Sequence, residues 1–310
     1  MRAFLNRDDL TDLARTTFPA RTLHDVTRLS GGSVKGVYRL AFDDGFTCLA
    51  YRWHADENFW PARTIFDVGP FRGHGSRATF IARHTLLSGL GVRVPEIFAV
   101  ESETDLALIE DVRGGTLEAL LERDPAAGRE VLARLGETLR TMHSHTSADF
   151  GFPGRTVPEF VLERGRRSLV EAAARVPRIA AVHDRLAYAL STRFAAITAR
   201  PVYGVIHGEL GPDHVMIDDA GAPVLIDIEG TMIFDVEWEH AFLELRFGER
   251  YPALRTVPLD EDRMRLCRLA MYLSLVAGPL LLIDGDFPRP EGMRQIAESN
   301  IPRVLAELSV

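Results

Sequence analysis

The stretch 205–218 reads VIHGELGPDHVMID and places a carboxylate, Glu209, and an imidazole, His214, in one short loop between apolar runs. A polar turn at 218–221 then leads into a second apolar run, which ends at Asp227. A turn of this composition between two apolar runs predicts a hairpin. The hairpin would bring Asp227 close to the loop that carries Glu209 and His214.

These three side chains suit one kind of chemistry. A carboxylate that ends an apolar strand, as Asp227 does, is costly to bury unless it is paired or bound to a metal. A hard cation that bridges nucleotide phosphates needs such an oxygen ligand. A second carboxylate nearby, Glu209, can accept the proton of an attacking hydroxyl group. His214 is then either a metal ligand or a histidine of the core.

Composition and charge narrow the class of protein. The chain has 310 residues and a net charge of −8, which disfavours nucleic acid as a partner. Its two cysteines, Cys48 and Cys267, form no disulfide framework or zinc spacing, and its first residues lack an apolar signal core. We therefore expect a cytoplasmic protein with no membrane partner, in which the apolar run at 269–283 is a buried core helix.

Acidic residues are concentrated around the opening loop. Residues 205–262 contain 14 Asp and Glu against three Arg. Such a segment suits a metal or a cationic substrate, although a solvated acidic face would give the same count. Glu229, Asp235 and Glu237 are the candidate substrate-binding residues within it.

A glycine-rich turn, SGGSVKG at 30–36, separates the first two predicted strands. Backbone amides near Gly32 and Ser33 can approach phosphates, although a plain flexible hairpin has the same composition. Lys35 is the only lysine among the 36 basic residues of the chain. It is either a phosphate contact or a lysine retained by chance on a solvated turn.

The hydrophobic periodicity changes near residue 112. Before it, a short helix is predicted at 8–17 and a second helix at about 76–89. Alternating apolar runs predict five strands, at 26–29, 37–42, 46–53, 94–100 and 106–110. After it, apolar residues recur mostly at helical spacing. We predict an N-terminal nucleotide-binding lobe at 1–111 and a C-terminal catalytic and substrate lobe at 112–310.

Taken together, the motifs resemble those of the aminoglycoside phosphotransferase-like kinases. That family usually has His-Gly-Asp-Leu-x-x-x-Asn and then Ile-Asp-Phe or Ile-Asp-Trp, where this chain has HGELGPDH at 207–214 and VLID at 224–227. LIEDV at 108–112 resembles the hinge that holds the adenine, and DVEWEHA at 235–241 resembles Asp-Pro-x-x-Asp-Leu-Ala. The resemblance implies an α+β, two-lobed protein-kinase-like fold: a five-stranded antiparallel sheet plus helix, then a mainly helical lobe.

The resemblance also implies roles for individual residues. Asp227 would hold magnesium, and His214 would take the second metal-ligand position, as in macrolide-phosphorylating members. Glu209 would stand at the catalytic position. Glu110 and Val112 would lie in the hinge that binds the nucleotide base through backbone bonds.

Several positions depart from the family pattern. Glu209 is one methylene longer than the usual aspartate, and Glu239 replaces a buried aspartate. The usual lysine of the third strand is missing, and by alternation Arg52 fits its place best. The helix glutamate that pairs with that lysine is also missing, and Glu57 is a possible substitute.

We therefore expect a kinase that moves the γ-phosphoryl group of ATP, or GTP, with Mg²⁺, to a hydroxyl group of a small molecule. An antibiotic such as an aminoglycoside or a macrolide is the leading acceptor. Nucleosides, choline-like alcohols and homoserine stay open. The departures leave an alternative of another class, a nucleotide-binding pseudokinase with little or no turnover.

Overall fold

The N-terminal part of the chain forms one sheet. The computed structural model describes residues 2–61, 69–71 and 75–309. The five strands of the sheet are β1 (Leu23–Leu29), β2 (Gly36–Phe42), β3 (Thr47–Arg52), β4 (Ile97–Glu101) and β5 (Leu106–Glu110). They lie in the order β1-β2-β3-β5-β4, and each neighbouring pair is antiparallel. The predicted five-stranded antiparallel sheet is confirmed.

The fourth strand begins later than predicted. Alternation suggested a start at residue 94, whereas β4 begins at Ile97. Pro95 explains the difference, because proline has no N–H to donate to a strand ladder.

Two helices cover opposite faces of the sheet, α1 (Arg7–Thr17) and α2 (Arg77–Gly89). Successive side chains of a strand point to opposite faces, so β3 divides its residues between the two helices. Ala50 lies in the apolar cluster on the α1 side. Tyr51 contacts Phe80 of α2, with ring centroids 5.5 Å apart.

The remainder of the described chain is mainly helical, as predicted. Its helices are α3 (Leu117–Arg123), α4 (Pro125–Ser144), α5 (Val157–Arg175), α6 (Pro177–Ala180), α7 (His183–Ala196), α8 (Val236–Phe247), α9 (Glu261–Ile283) and α10 (Pro290–Ala306). Short strands lie between them: β6 (Thr146–Ser147), β7 (Tyr203–Ile206), β8 (Val215–Ile217), β9 (Pro223–Leu225) and β10 (Met232–Phe234).

Helix α9 is the central helix of the C-terminal core and packs against α5, α7, α8 and α10. Among the described residues, it is the one helix long and apolar enough to cross a membrane. However, 67% of its most apolar window is buried inside the protein. This burial is that of a core helix, as the sequence predicted.

One apolar cluster joins the sheet to the helical part. It contains Tyr51 and Phe80 from the N-terminal side, and Leu135, Val205 and Leu225 from the C-terminal side. The strands β7 and β9, which flank the candidate site, are thereby fixed against the sheet. This packing brings the turn before β2 to the end of the β8–β9 hairpin.

Candidate active site

The loop after β7 depends on a glycine. Gly208 has a φ of +94°, and a Cβ there would lie 2.8 Å from the carbonyl oxygen of Gly230. Any other residue would be strained and crowded at this position. The neighbouring His207 is fully buried, and its Nε2 donates to the carbonyl of Ile226 at 2.9 Å. His207 therefore ties the loop to the residue that precedes Asp227.

Glu239 supports the same loop from α8. The backbone N–H of His207 donates to its carboxylate, and the amides of Gly208 and Leu210 also stabilise the charge. Burial raises the pKa of Glu239 to about 7, and the three amides oppose that shift. The glutamate thus takes the supporting position expected for the family's buried aspartate.

Replacement of Glu239 by Ala should lower the free energy of unfolding by about 1–3 kcal/mol, because buried amide donors would lose their acceptor. Urea denaturation of the variant and the wild-type protein measures the difference. The matched variant Glu239→Asp keeps a carboxylate and should lose less. Equal stability of Glu239→Ala and the wild-type protein would contradict a supporting role.

Asp227 lies two residues after the end of β9 and has an unusual backbone conformation, with φ 58° and ψ 45°. This left-handed region is uncommon outside glycine, although Asp and Asn tolerate it. Its Oδ1 accepts from the Lys35 ammonium at 2.7 Å, and its Oδ2 lies 3.8 Å from Nε2 of His214. Lys35 contributes most to holding the pKa of Asp227 well below its usual range. Asp227 is therefore a carboxylate with one oxygen facing a lysine and the other facing a histidine.

His214 comes next to Asp227 through the β8–β9 hairpin, in which Val215 pairs with Leu225. This is the juxtaposition that the hairpin predicted. The ring Nδ1 is 2.8 Å from the carbonyl oxygen of Glu209 and must donate to it, because a carbonyl can only accept. In the neutral ring, Nε2 therefore carries the lone pair and faces the Asp227 carboxylate.

Two electron-rich atoms that face each other suit a shared cation. Metal bonds of about 2.0–2.2 Å to each atom are compatible with the 3.8 Å between His214 Nε2 and Asp227 Oδ2. Within the described ranges, no group of three or more His, Cys, Asp and Glu forms a metal site. The partial set fits Mg²⁺, which usually keeps waters and takes further ligands from substrate phosphates.

Glu209 belongs to the same electrostatic group. Desolvation raises its pKa, Arg164 opposes that shift, and the charge of Asp227 adds to it. Residue 209 is exposed to solvent, so a small molecule can reach its carboxylate. Such a carboxylate can receive a proton from a bound hydroxyl group.

The glycine-rich turn directs Lys35 into this group. A Cβ on Gly32 would lie 2.3 Å from the carbonyl oxygen of Lys35, so the turn can close this tightly only with glycine. Lys35 is 8% exposed and contacts Glu229 at 2.7 Å as well as Asp227. Ser33 is engaged elsewhere, because its hydroxyl accepts from the indole N–H of Trp60 at 3.0 Å.

Arg52 lies on the α1 side of β3, on the face opposite to Tyr51. Its guanidinium donates to the carbonyl of Ala3 at 2.8 Å and lies 3.7 Å from Glu57. The structure therefore does not bring Arg52 to Asp227. Alternation correctly groups the residues that share a face but does not indicate which face looks toward the site.

The candidate substrate residues separate into two groups. Glu229 contacts Lys35, as described above. Asp235 is paired with Arg263 at 2.6 Å, and Glu237 with Arg200 at 2.8 Å, all four within the helical part of the chain. Asp235 and Glu237 are 1% exposed, so they form a buried ion-pair network rather than an open acidic surface. Their proposed contact with substrate stays a prediction that this geometry does not favour.

The hinge candidates also differ from each other. The Glu110 carboxylate is paired with Arg93 at 2.6 Å, and its backbone N–H donates to Glu96 at 2.8 Å. Val112 follows β5 in the connection to α3 and is buried. Over the described part of the chain, nothing hydrogen-bonds the backbone of Val112, which is what a hinge contact to a nucleotide base needs.

Similar solved structures share this architecture. The choline kinase LicA from Streptococcus pneumoniae has a TM-score of 0.66 at 14% identity, covering 97% of this chain and 98% of that one. A thermostable mutant of the aminoglycoside phosphotransferase APH(4)-Ia has a TM-score of 0.62 at 16% identity, and the match covers 94% of this chain and 98% of that one. A choline/ethanolamine kinase family protein from Mesorhizobium loti has a TM-score of 0.60 at 18% identity, and the match covers 97% of this chain and 95% of that one. The predicted two-lobed kinase-like fold is confirmed.

A sequence comparison assigns the family. No curated protein matches the chain significantly. The sequence model of the phosphotransferase enzyme family matches residues 49–256, well over half of the chain, including the Glu209 loop and Asp227. The chain belongs to the phosphotransferase enzyme family.

Proposed function

We propose that the protein uses ATP to phosphorylate a hydroxyl group of a small molecule. The observation that carries this proposal is the convergence of Asp227, His214 and Glu209 at the end of the β8–β9 hairpin. It supplies a metal-binding carboxylate, a second ligand and a separate carboxylate that can accept a proton. Phosphoryl transfer needs these parts together.

Relatives of known structure support a nucleotide as the donor. LicA has been crystallised with AMP, and mutants of APH(4)-Ia with hygromycin B and either ADP or AMP-PNP. For this chain, we propose that ATP lies between the glycine-rich turn and Asp227. Val112 would contact the base, because its backbone groups are not used by the described residues.

The residues then have distinct tasks in the reaction. Asp227 and His214 would hold Mg²⁺, which when bound neutralises the charge of the phosphates. Glu209 would orient the acceptor hydroxyl and take its proton. Most of the rate would come from positioning, since the transition state of phosphoryl transfer is loose.

The charges of the helical part bear on the acceptor. A polycationic antibiotic would be recognised by open carboxylates, yet Asp235 and Glu237 are neutralised by Arg263 and Arg200. The 14 acidic residues counted in sequence therefore do not by themselves select a cation. Aminoglycosides, macrolides, nucleosides, choline-like alcohols and homoserine all belong in the search for the substrate.

A phosphorylation screen tests the proposal. The protein is incubated with ATP, or GTP, and Mg²⁺ against a panel of these alcohols, and mass spectrometry detects products heavier by one phosphate group. A product that is absent with Asp227→Asn supports the proposal. Mg²⁺-dependent nucleotide binding without turnover of any panel member would favour the pseudokinase.

His214 provides a prediction of its own. His214→Asn should keep most of the activity, because an amide oxygen is a suitable Mg²⁺ ligand. His214→Ala should lose at least the roughly 10- to 100-fold that loss of a partner around a metal costs. Steady-state kinetics over a range of Mg²⁺ concentrations measures both variants, and the loss in His214→Ala should shrink as Mg²⁺ is raised.

An equal loss in the two variants would contradict metal binding by His214. It would favour a structural role through the hydrogen bond from Nδ1 to the Glu209 carbonyl. Thermal unfolding of both variants without Mg²⁺ serves as the control, because a structural role would lower stability in the absence of the metal.

A further inference from the structure

The face of β3 that looks toward α2 carries no cationic side chain. Arg52 points to the α1 side, where it contacts Ala3 and Glu57. Tyr51 points to the α2 side and is 6% exposed. Helix α2, which reads RATFIARHTLLSG, offers no carboxylate to hold a cation on this face. The sheet and its helix therefore lack a lysine–glutamate pair for the phosphates of ATP.

A lysine enters the same space from the glycine-rich turn before the neighbouring strand, β2. Lys35 directly precedes β2, and its ammonium lies 5.0 Å from the centre of the Tyr51 ring. It is 2.7 Å from Asp227 and 2.7 Å from Glu229, so it lies beside the carboxylate proposed to hold the metal. Only Oδ1 of Asp227 is used by Lys35, and Oδ2 stays directed at His214.

Glu229 lies next to this lysine and carries the opposite charge. It is 7% exposed and lies two residues after Asp227, in the turn that α2 packs against. Among the described residues, Lys35 is the one cation within ion-pair distance of its carboxylate. A buried carboxylate with a single counter-ion is strongly tied to it, because loss of the cation would leave an uncompensated charge.

We infer that Lys35 is the phosphate-binding lysine of this enzyme and that Glu229 is the residue that positions it. The pair replaces a lysine of β3 and a glutamate of α2 with a lysine of the glycine-rich turn and a glutamate after Asp227. The inference rests on the proposed use of ATP. It gives the only lysine of the chain a task that an arginine on the other face of β3 cannot perform.

The geometry explains why a lysine is retained here. A compact ammonium on a flexible four-carbon stem fits between two carboxylates and can move with the turn, whereas a guanidinium is a planar fork. When ATP binds next to Asp227, phosphate oxygens would lie within reach of the same ammonium. Glu229 would then keep Lys35 in the site while the phosphates share its charge.

The single lysine allows a direct test on the unmodified chain. An acyl-phosphate derivative of ATP transfers its acyl group to an amine beside the phosphates: the amine attacks the acyl carbon, the acyl–phosphate bond breaks, ATP leaves and the nitrogen loses a proton. Peptide mass spectrometry should find the amide on Lys35, and excess ATP should suppress it. The N-terminal amine serves as an internal control whose labelling ATP does not change.

Three charge-removing variants complete the test. Lys35→Met should raise the apparent dissociation constant of ATP or lower kcat, with a combined loss in kcat/KM of roughly 100- to 1,000-fold. Arg52→Met removes the competing cation of β3 and should change kcat/KM far less. Arg15→Met, on the exposed side of α1, is the matched control. It should leave the dissociation constant of ATP and kcat/KM unchanged.

Glu229 needs a readout that separates positioning from stability. Glu229→Gln should slow acylation of Lys35 by the ATP probe and raise the KM for ATP, and Glu229→Asp should recover part of both. A purely structural Glu229 would lower the unfolding temperature without changing acylation in the folded protein. That result would overturn the positioning role.

The outcomes also separate this inference from the proposed function. Calorimetric titration first establishes whether the protein binds ATP. ATP binding without ATP-protected labelling of Lys35, or a large loss in Arg52→Met but not in Lys35→Met, would overturn the inference and leave the proposed function intact. An absence of ATP binding would overturn both.

Discussion

Asp227→Asn should reduce phosphoryl transfer by at least roughly 1,000-fold. A metal contact to transferring phosphates contributes several kcal/mol, and each 1.36 kcal/mol corresponds to a factor of ten in rate. An amide carries no charge and is a weaker ligand for Mg²⁺ than a carboxylate. We expect the loss in kcat, measured as product formation at saturating ATP once a substrate has been found.

The fold should survive this change. Asn tolerates the left-handed conformation of residue 227 about as well as Asp does. Lys35 would keep Glu229 as its counter-ion at 2.7 Å. Asp219→Asn, an equal change of charge at the exposed turn of the same hairpin, is the matched control and should keep full activity. Near-normal turnover in a folded Asp227→Asn protein would remove Asp227 from the proposed metal site.

Glu209→Gln should lower kcat by roughly 100- to 10,000-fold, the usual range for loss of a general base. The amide keeps the shape of the side chain but cannot accept the proton of the acceptor hydroxyl. ATP binding should change little, because Glu209 is proposed to contact the acceptor rather than the nucleotide. Calorimetry for ATP and single-turnover kinetics for the chemical step separate the two effects.

The length of the side chain gives a second comparison. Glu209→Asp restores the residue usual in the resembling kinases but withdraws the carboxylate by about one ångström, a displacement that can cost ~100-fold. We expect an intermediate rate for Glu209→Asp, below wild type and above Glu209→Gln. Full activity in Glu209→Gln would show that this carboxylate is not the base, and would direct the search to another acceptor of the proton.

Local sequence patterns predicted much of the architecture. The alternating runs before residue 112 became the five strands, because residues that bury one face of a strand must recur with period two. The turn at 218–221 became the hairpin that places His214 Nε2 3.8 Å from Asp227 Oδ2. These features depend on neighbours in the chain, and composition at short range is enough to specify them.

Charge patterns were less informative than periodicity. The acidic segment 205–262 suggested an open site for a cation. However, Arg200 and Arg263, which both lie outside the segment, pair with Glu237 and Asp235. A count along the chain includes only residues close in sequence. Folding placed these arginines beside the carboxylates, since buried charges must be compensated.

The sequence by itself determined the family, the order of the strands along the chain, and the position of Glu209, His214 and Asp227 around one hairpin. Only the tertiary structure decided which cationic side chain, Lys35 or Arg52, lies beside Asp227. Lys35 and Asp227 are 192 residues apart in sequence, and their contact exists because the sheet packs on the helical part. Alternation assigned Arg52 to a face of β3, but the helix that covers each face is set by long-range packing of apolar surface. That packing directs Arg52 to the α1 side and leaves the space beside Asp227 to Lys35.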